Sequence, residues 1–182
     1  MVTFDFELET RETERMQSIR PEAWFTQVAF KNVTSPRHPE AADLDANHNL
    51  KAKMLLPWIR TAVKGKRVLD LFCANGAFSF EAARAGASEV VGVEFSGDRI
   101  DCAKFVASTL TGRVNHSIPQ FVVADVYHLR RLVDKPFDEL PMLRRDFPEL
   151  RGDAVPLRRL RGRTDAHHLD FRGEWRPAHG QA

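Results

Sequence analysis

Cysteine is scarce in this chain: Cys73 and Cys102 are the two among 182 residues, and their separation matches neither a metal-ligand spacing nor a disulfide framework. No apolar run approaches the ~18 residues that cross a bilayer, and Met1 to Phe6 lacks the basic start and apolar core of a signal peptide. A disulfide-stapled module and a helical membrane protein are therefore both disfavoured, no membrane association is expected, and the expected location is cytoplasmic. One-sided charge is missing as well. Lys and Arg total 27 against 25 Asp and Glu, and the formal net charge of +2 is too small to imply a nucleic-acid partner by itself. What remains, 43% hydrophobic and 29% charged residues, suits one ordinary core.

The most informative stretch is KRVLDLFCANGAFSFEAARAGASEVVGVEF, residues 66–95. Val68, Leu69 and Leu71 surround Asp70 in a short apolar run that Asn75-Gly76 ends, and Val90-Val91-Gly92-Val93 starts a second run that stops on Glu94. Two apolar strands joined by a helix read as a βαβ unit, with the connecting loop at the carboxyl ends of parallel strands, where such sheets bind ligands. Gly76 permits a tight turn and a close approach of backbone to ligand at a helix N-terminus. Glu94 follows about 20 residues on, where a carboxylate accepts hydrogen bonds from both hydroxyls of a ribose. A pyrophosphate fingerprint would need three glycines, and Phe72 and Ala74 fill the first two places. The pocket thus suits an adenosine without a pyrophosphate. S-adenosylmethionine fits that description, and its ammonium offers Asp70 a charged partner.

A third element has the same form. Ser96 is placed to cap a helix over residues 97–110, with Ile100, Ala103, Ala107 and Leu110 on one face, and Gln120 to Asp125 is again an apolar strand ending in a carboxylate. Asp70, Glu94 and Asp125, in this order and spacing, say more than any one of them.

At these residues the chain resembles the class I S-adenosylmethionine-dependent methyltransferases, whose first motif is an acidic residue followed by alternating glycines. Asp70, Phe72, Ala74 and Gly76 occupy that pattern, with glycine at the last place alone. DLFC followed by a small-residue turn and Phe-Ser is similar to the version in several RNA methyltransferases, and residues 65–94 as a whole resemble a methyltransferase group that includes enzymes modifying the tRNA wobble uridine. The resemblance covers residues 47–138 and implies an α/β, Rossmann-like class I methyltransferase fold. It also implies a cofactor site made of Asp70, Phe72, Ala74, Asn75, Gly76, Glu94, Phe95, Asp125 and Val126. In the family the match to Glu94 binds the ribose, Phe95 would lie against the adenine, Asp125 would accept from its amino group, and the backbone of Val126 would contact the ring. Catalytic cysteines of RNA methyltransferases lie elsewhere in the family pattern, so Cys73 is read as a small packing residue.

Flanking segments divide the chain into residues 1–46, an N-terminal extension or a cap over the substrate; 47–138, the cofactor domain; and 139–182, an arginine-rich tail. A helix is expected over residues 47–63, with Leu50, Met54, Leu55 and Ile59 on its apolar side, Pro57 kinking it, His48 solvated and Trp58 facing the core. Phe78 and Phe80 are read as core. Pro136-Phe137-Asp138 begins as the family's fourth strand does, and then the pattern stops: Pro141 argues against a central strand, and from Glu139 onward there is no lysine, isoleucine or tyrosine. The expectation is an incomplete fold holding the N-terminal half of the sheet, with the tail disordered or translated out of frame. The edge and the apolar faces of residues 68–71 are then left half covered, inviting a protein partner. Three functions are consistent with this: an active methyltransferase whose acceptor is RNA or a small molecule, a truncated cofactor-binding remnant, or another Rossmann-type nucleotide binder. No general base can be named.

Overall fold

The computed structural model describes residues 1–125 together with 168–169 and 175–176. Its centre is a parallel sheet of β3 (Arg67–Leu71), β4 (Glu89–Glu94) and β5 (Gln120–Val123), in that spatial order. Helix α3 (Ala77–Arg84) connects the first pair and α4 (Gly97–Leu110) the second. Both crossovers step the same way across the sheet, so right-handed connections place both helices on one side of it. This extends the βαβ unit that the apolar runs implied into the Rossmann-like α/β arrangement that the resemblance implied, and α4 spans the expected residues.

Register is pinned at the amino ends of the first two strands, where Arg67 Nε donates to Glu89 Oε2 at 2.5 Å across paired positions. Successive residues of a strand point to opposite faces. Val68, Asp70, Val90, Gly92 and Phe121 therefore share a side, whereas Leu69, Leu71 and Val93 point the other way. Gly92 is required there: a Cβ would stand 2.6 Å from the Phe121 ring and 2.9 Å from Cys73 Sγ, inside van der Waals contact.

Before the sheet come β1 (Val2–Thr3), α1 (Thr10–Ser18), a 3-10 turn (Pro21–Ala23), β2 (Val28–Ala29) and α2 (Ala41–Ala62). Helix α1 starts with a capping box in which the Glu12 carboxylate accepts from the Glu9 backbone N–H at 2.9 Å. Strands β1 and β2 pair in parallel as a separate two-stranded ribbon. The N-terminal segment supplies part of the core. Val2, Phe4, Leu8, Met16, Trp24, Val28 and Phe30 are buried in one cluster with Phe80, Ile100, Phe105, Val106 and Phe121. Phe4 stacks on Phe30 at 5.2 Å and meets Phe80 edge-on at 5.8 Å.

A second cluster gathers Leu55, Ile59 and Val63 from α2 and its end, Val68, Val90, and Phe78, Ala82, Ala83 and Ala87 from α3 and beyond. Helix α2 begins at Ala41, so the boundary expected at residues 46 and 47 falls inside it, and it continues through Pro57. Leu55 and Ile59 are buried as expected, and Trp58 packs against this cluster. Leu50 and Met54, expected on the same side, are instead 56% and 51% exposed, because the buried stripe runs through Leu55 and its neighbours one helical step away.

The apolar faces of β3 are covered rather than half covered: Val68, Leu69 and Leu71 are 0%, 3% and 3% exposed. Among the described residues β3 pairs with β4 alone. The expectations for Val126, for Pro136-Phe137-Asp138 and for most of the tail lie outside the described residues. Inside the tail, β6 (His168–Leu169) and β7 (Trp175–Arg176) form an antiparallel pair that no apolar period announces.

Candidate cofactor site

The carboxyl ends of β3 and β4 lead into two loops that meet. Asp70 pairs with Gly92 and Glu94 with Val123, so each acidic residue stands two positions beyond its neighbour's partner, and Asp125 continues the series past the end of β5. An even offset keeps side chains on one side of a pleated sheet. The row of Asp70, Glu94 and Asp125 is thus a diagonal along one rim.

Asp70 is 1% exposed. Its Oδ2 accepts from the Ser79 hydroxyl at 2.7 Å, while Oδ1 is buried without a hydrogen-bond partner. Burial is the main reason that its carboxyl is pushed up to about 6; the Ser79 bonds oppose this, Glu94 adds to it, and Lys51 on α2 opposes it. A buried carboxylate oxygen left unpartnered costs of order 1–3 kcal/mol, more when charged, unless a donor or cation meets it. That atom is where a positively charged ligand group gains most.

Glu94 is 8% exposed and holds the two loops together: Oε2 accepts from the Ala74 N–H and Oε1 from the Ser96 N–H, each at 3.1 Å. Each oxygen retains a second lone pair for a hydroxyl donor. Arg99, at the start of α4, comes within 4.0 Å of Oε1 and lies over the Phe25 ring at 5.0 Å. Ser96 is the N-terminal boundary residue of α4 as expected, but its side chain makes no capping bond.

The loop between β3 and α3 is bent by two residues that are not glycine. Phe72 and Ala74 have φ of 58° and 49°, and Gly76 has 85°. Left-handed backbone at non-glycine residues costs of order 1–3 kcal/mol each and persists where surroundings over-determine it. Here Cys73 N–H donates to Val93 O at 3.1 Å and Gly76 N–H to Cys73 O at 2.8 Å. Gly76 is needed for more than ligand approach, since a Cβ on it would stand 2.6 Å from the Phe121 ring and 3.1 Å from Phe80. Its bare face looks into the core.

Asn75 is 1% exposed, and its side-chain amide is engaged with the N-terminal segment: Oδ1 accepts from Thr26 N–H at 2.9 Å and Nδ2 donates to Thr26 O at 2.7 Å. Its side chain therefore holds the loop rather than facing outward. Thr26 Oγ1 shares a hydrogen bond of 3.2 Å with His48 Nδ1, and the His48 ring stacks on Phe78 at 5.3 Å. His48 is not solvated as expected; it is 8% exposed, and burial chiefly, with the N-terminal amine, lowers its pKa to about 4.

Cys73 is 6% exposed, and burial, reinforced by the charges of Asp70 and Glu94, pushes its thiol far up, which opposes thiolate chemistry and fits a packing role. Phe78 and Phe80 are core residues. Phe72 and Phe95 remain 45% and 78% exposed at the two loop tips, flat surfaces available at the rim. The sequence did not single out Thr26, Ser79, Lys51 or Arg99. A strand-end aspartate with a hydroxyl on the facing helix turn was a signal for Ser79; nothing local marks Thr26, which is 49 residues from its partner.

Residues 62–140 match the family described as "Methyltransferase domain". A protein named ribosomal RNA large subunit methyltransferase I from Aeromonas hydrophila is 37% identical over 109 residues, covering 59% of this chain and 27% of the relative. Its namesake from Photobacterium profundum is 41% identical over 69 residues, 38% of this chain and 17% of that one. The chain thus spans about a quarter or less of the length of these curated relatives. Among solved structures, magnesium protoporphyrin IX methyltransferase from Synechocystis with bound SAH is 20% identical, with a TM-score of 0.44 over 55% of this chain and 43% of that one. The parallel βαβαβ core and the matched segment together support a class I S-adenosylmethionine-dependent methyltransferase domain over residues 62–140.

Proposed function

We propose that this chain binds S-adenosylmethionine at the carboxyl ends of β3, β4 and β5 and serves methyl transfer to RNA. The observation that carries the cofactor assignment is the unpartnered Asp70 Oδ1 beside a loop that leads to Glu94. A cofactor ammonium satisfies the first, and ribose hydroxyls use the remaining lone pairs of the second. Phe95 supplies a face for the adenine, Asp125 with the backbone of Val126 an edge for it, and Phe72 and Ala74 with the Gly76 turn a backbone surface for the remainder. Asn75 acts on the cofactor through loop shape. When bound, the cofactor supplies an electrophilic methyl on sulfonium. The chain's residues then contribute binding and alignment, the source of most of the rate in a transfer between two positioned reactants. RNA is favoured as acceptor because the relatives matched over this segment are named for ribosomal RNA.

Calorimetry with S-adenosylhomocysteine tests this reading. Binding by the full chain is expected, with Glu94→Ala weakening it about tenfold or more. The affinity of S-adenosylmethionine should fall as pH drops below about 6, where Asp70 takes up a proton. Preference for a nicotinamide dinucleotide, or unchanged affinity in Glu94→Ala, would sink the assignment.

A further inference from the structure

The bent loop that Phe72, Ala74 and Gly76 form is held from one direction by its own sheet and from another by a segment far away in sequence. Thr26 lies between the 3-10 turn and β2, and its backbone N–H and C=O both bond the Asn75 side chain, in the way one strand bonds another. The segment around it is itself fastened. Val2 N–H donates to Gln27 O at 2.9 Å, Ser35 N–H to Val28 O at 2.8 Å, and Val28 N–H to Ser35 Oγ at 3.1 Å. Trp24, two residues before Thr26, is 0% exposed, and its indole N–H is buried without a partner. On the other side of Thr26, His48 takes its hydroxyl and lies against Phe78, in the first turn of the helix that the loop opens.

Three buried polar side chains, Thr26 at 3%, His48 at 8% and Asn75 at 1% exposure, thus join the N-terminal segment, α2 and the loop in one line. None of them points to a ligand. Their common effect is on the loop, whose two left-handed non-glycine residues need outside support to stay as they are.

We propose that residues 24–28 are a positioning strap for the cofactor loop: Thr26, through Asn75 and backed by His48, sets the loop's shape, so that cofactor affinity depends on the N-terminal segment. Affinity and strap order are then linked in both directions, since a coupling free energy between two sites is reciprocal. The second half of this statement rests on the S-adenosylmethionine reading. The first half concerns the ligand-free protein alone. Thr26, His48 and Asn75 are positioning residues, because they act through Ala74 and Gly76 rather than by touching the cofactor.

Native-state amide exchange on the full chain, read by mass spectrometry, tests it without ligand. In Asn75→Ala, exchange over residues 72–77 and 25–29 should rise about tenfold or more while β4 amides keep their protection. Thr26→Val, which keeps the backbone bonds and loses the link to His48, should give the same pattern at smaller amplitude, and it serves if Asn75→Ala does not fold. A merely structural role would raise exchange in all elements by one factor. That result, or no change in the loop, overturns the strap. With wild-type protein saturated by S-adenosylhomocysteine, exchange at residues 26–28 should slow, and unchanged exchange there in the bound protein overturns the coupling. If the wild type binds no S-adenosylhomocysteine, the cofactor reading falls, and the ligand-free comparison still decides the strap.

Discussion

Two buried clusters share one side of the sheet, and they are made of different material. The first is built on rings, with Phe4, Trp24, Phe30, Phe80, Phe105 and Phe121 at its heart, and it runs up to Cys73 and Ala77 beneath the cofactor loop. The second is mostly aliphatic, with Leu55, Ile59, Val63, Val68 and Val90 among alanines of α3, joined by Phe78, and its strand residues lie toward the amino ends. Flat, stiff rings leave little room for repacking, and Gly76 and Gly92 are glycines because Phe121 fills the space beside them. The loop shape is therefore tied to the first cluster through Phe121 and Phe80, and it meets the second at Phe78, on which His48 stacks. A fold can thus keep most of its site geometry and part of its stability in separate places.

The sharpest way to break this comparison is to empty the ring cluster. Trp24→Ala or Phe121→Ala should cost about 3–5 kcal/mol by urea unfolding and weaken S-adenosylhomocysteine binding in calorimetry. Full affinity in a folded variant would show that the rings do not support the loop. Next in size is the pH response. Asp70 has its pKa raised from 3.8 to about 6, so its contribution favours the folded state below that window and is lost as pH rises through about 6. His48, lowered from 6.5 to about 4, works the other way, and its contribution is lost as pH falls from about 6.5 toward 4. Each is of order 3 kcal/mol, and the two slopes largely cancel. Asp70→Asn should expose the His48 slope, giving a stability that falls more steeply than wild type between pH 6.5 and 4.5; an unchanged profile would refute the assignment. Leu55→Ala, in the aliphatic cluster, should cost about 2–3 kcal/mol and leave cofactor affinity alone. A matching loss of affinity would erase the distinction between the clusters. Smallest is Met54→Ala on the exposed side of α2, expected to lie within about 0.5 kcal/mol of wild type by the same unfolding measurement.

The sheet and its acidic rim were legible because they are local. Apolar runs flanking Asp70, Glu94 and Asp125 fix strand ends without knowledge of anything distant, and Ser96 with the Ile100 face fixes α4 to the residue. The N-terminal segment was not legible for the opposite reason. Its charged, threonine-rich start hides a spacing of Phe4, Leu8, Met16 and Trp24 that follows no single period, since a short strand, a helix and a 3-10 turn each contribute one or two buried residues. In α2 the apolar residues form a band wider than the surface available to bury them, so pattern alone could not choose between Leu50 and Leu55. His48 was misjudged, and the structural tie of Asn75 was not foreseen, for one reason. Their partner, Thr26, has no property in sequence that marks it, and a polar residue is called surface until its hydrogen bonds are seen.

The even stagger from Asp70 to Glu94 makes the rim sensitive to arithmetic as well as to chemistry. Because Glu94 faces the same side as Gly92, removing one residue between Val91 and Glu94 would turn the carboxylate to the far side of the sheet, with no change in composition to warn of it. Removing two would return it to its own side one step lower, short of the Ala74 and Ser96 amides that it now joins. Along this strand, length is inherited as strictly as residue type.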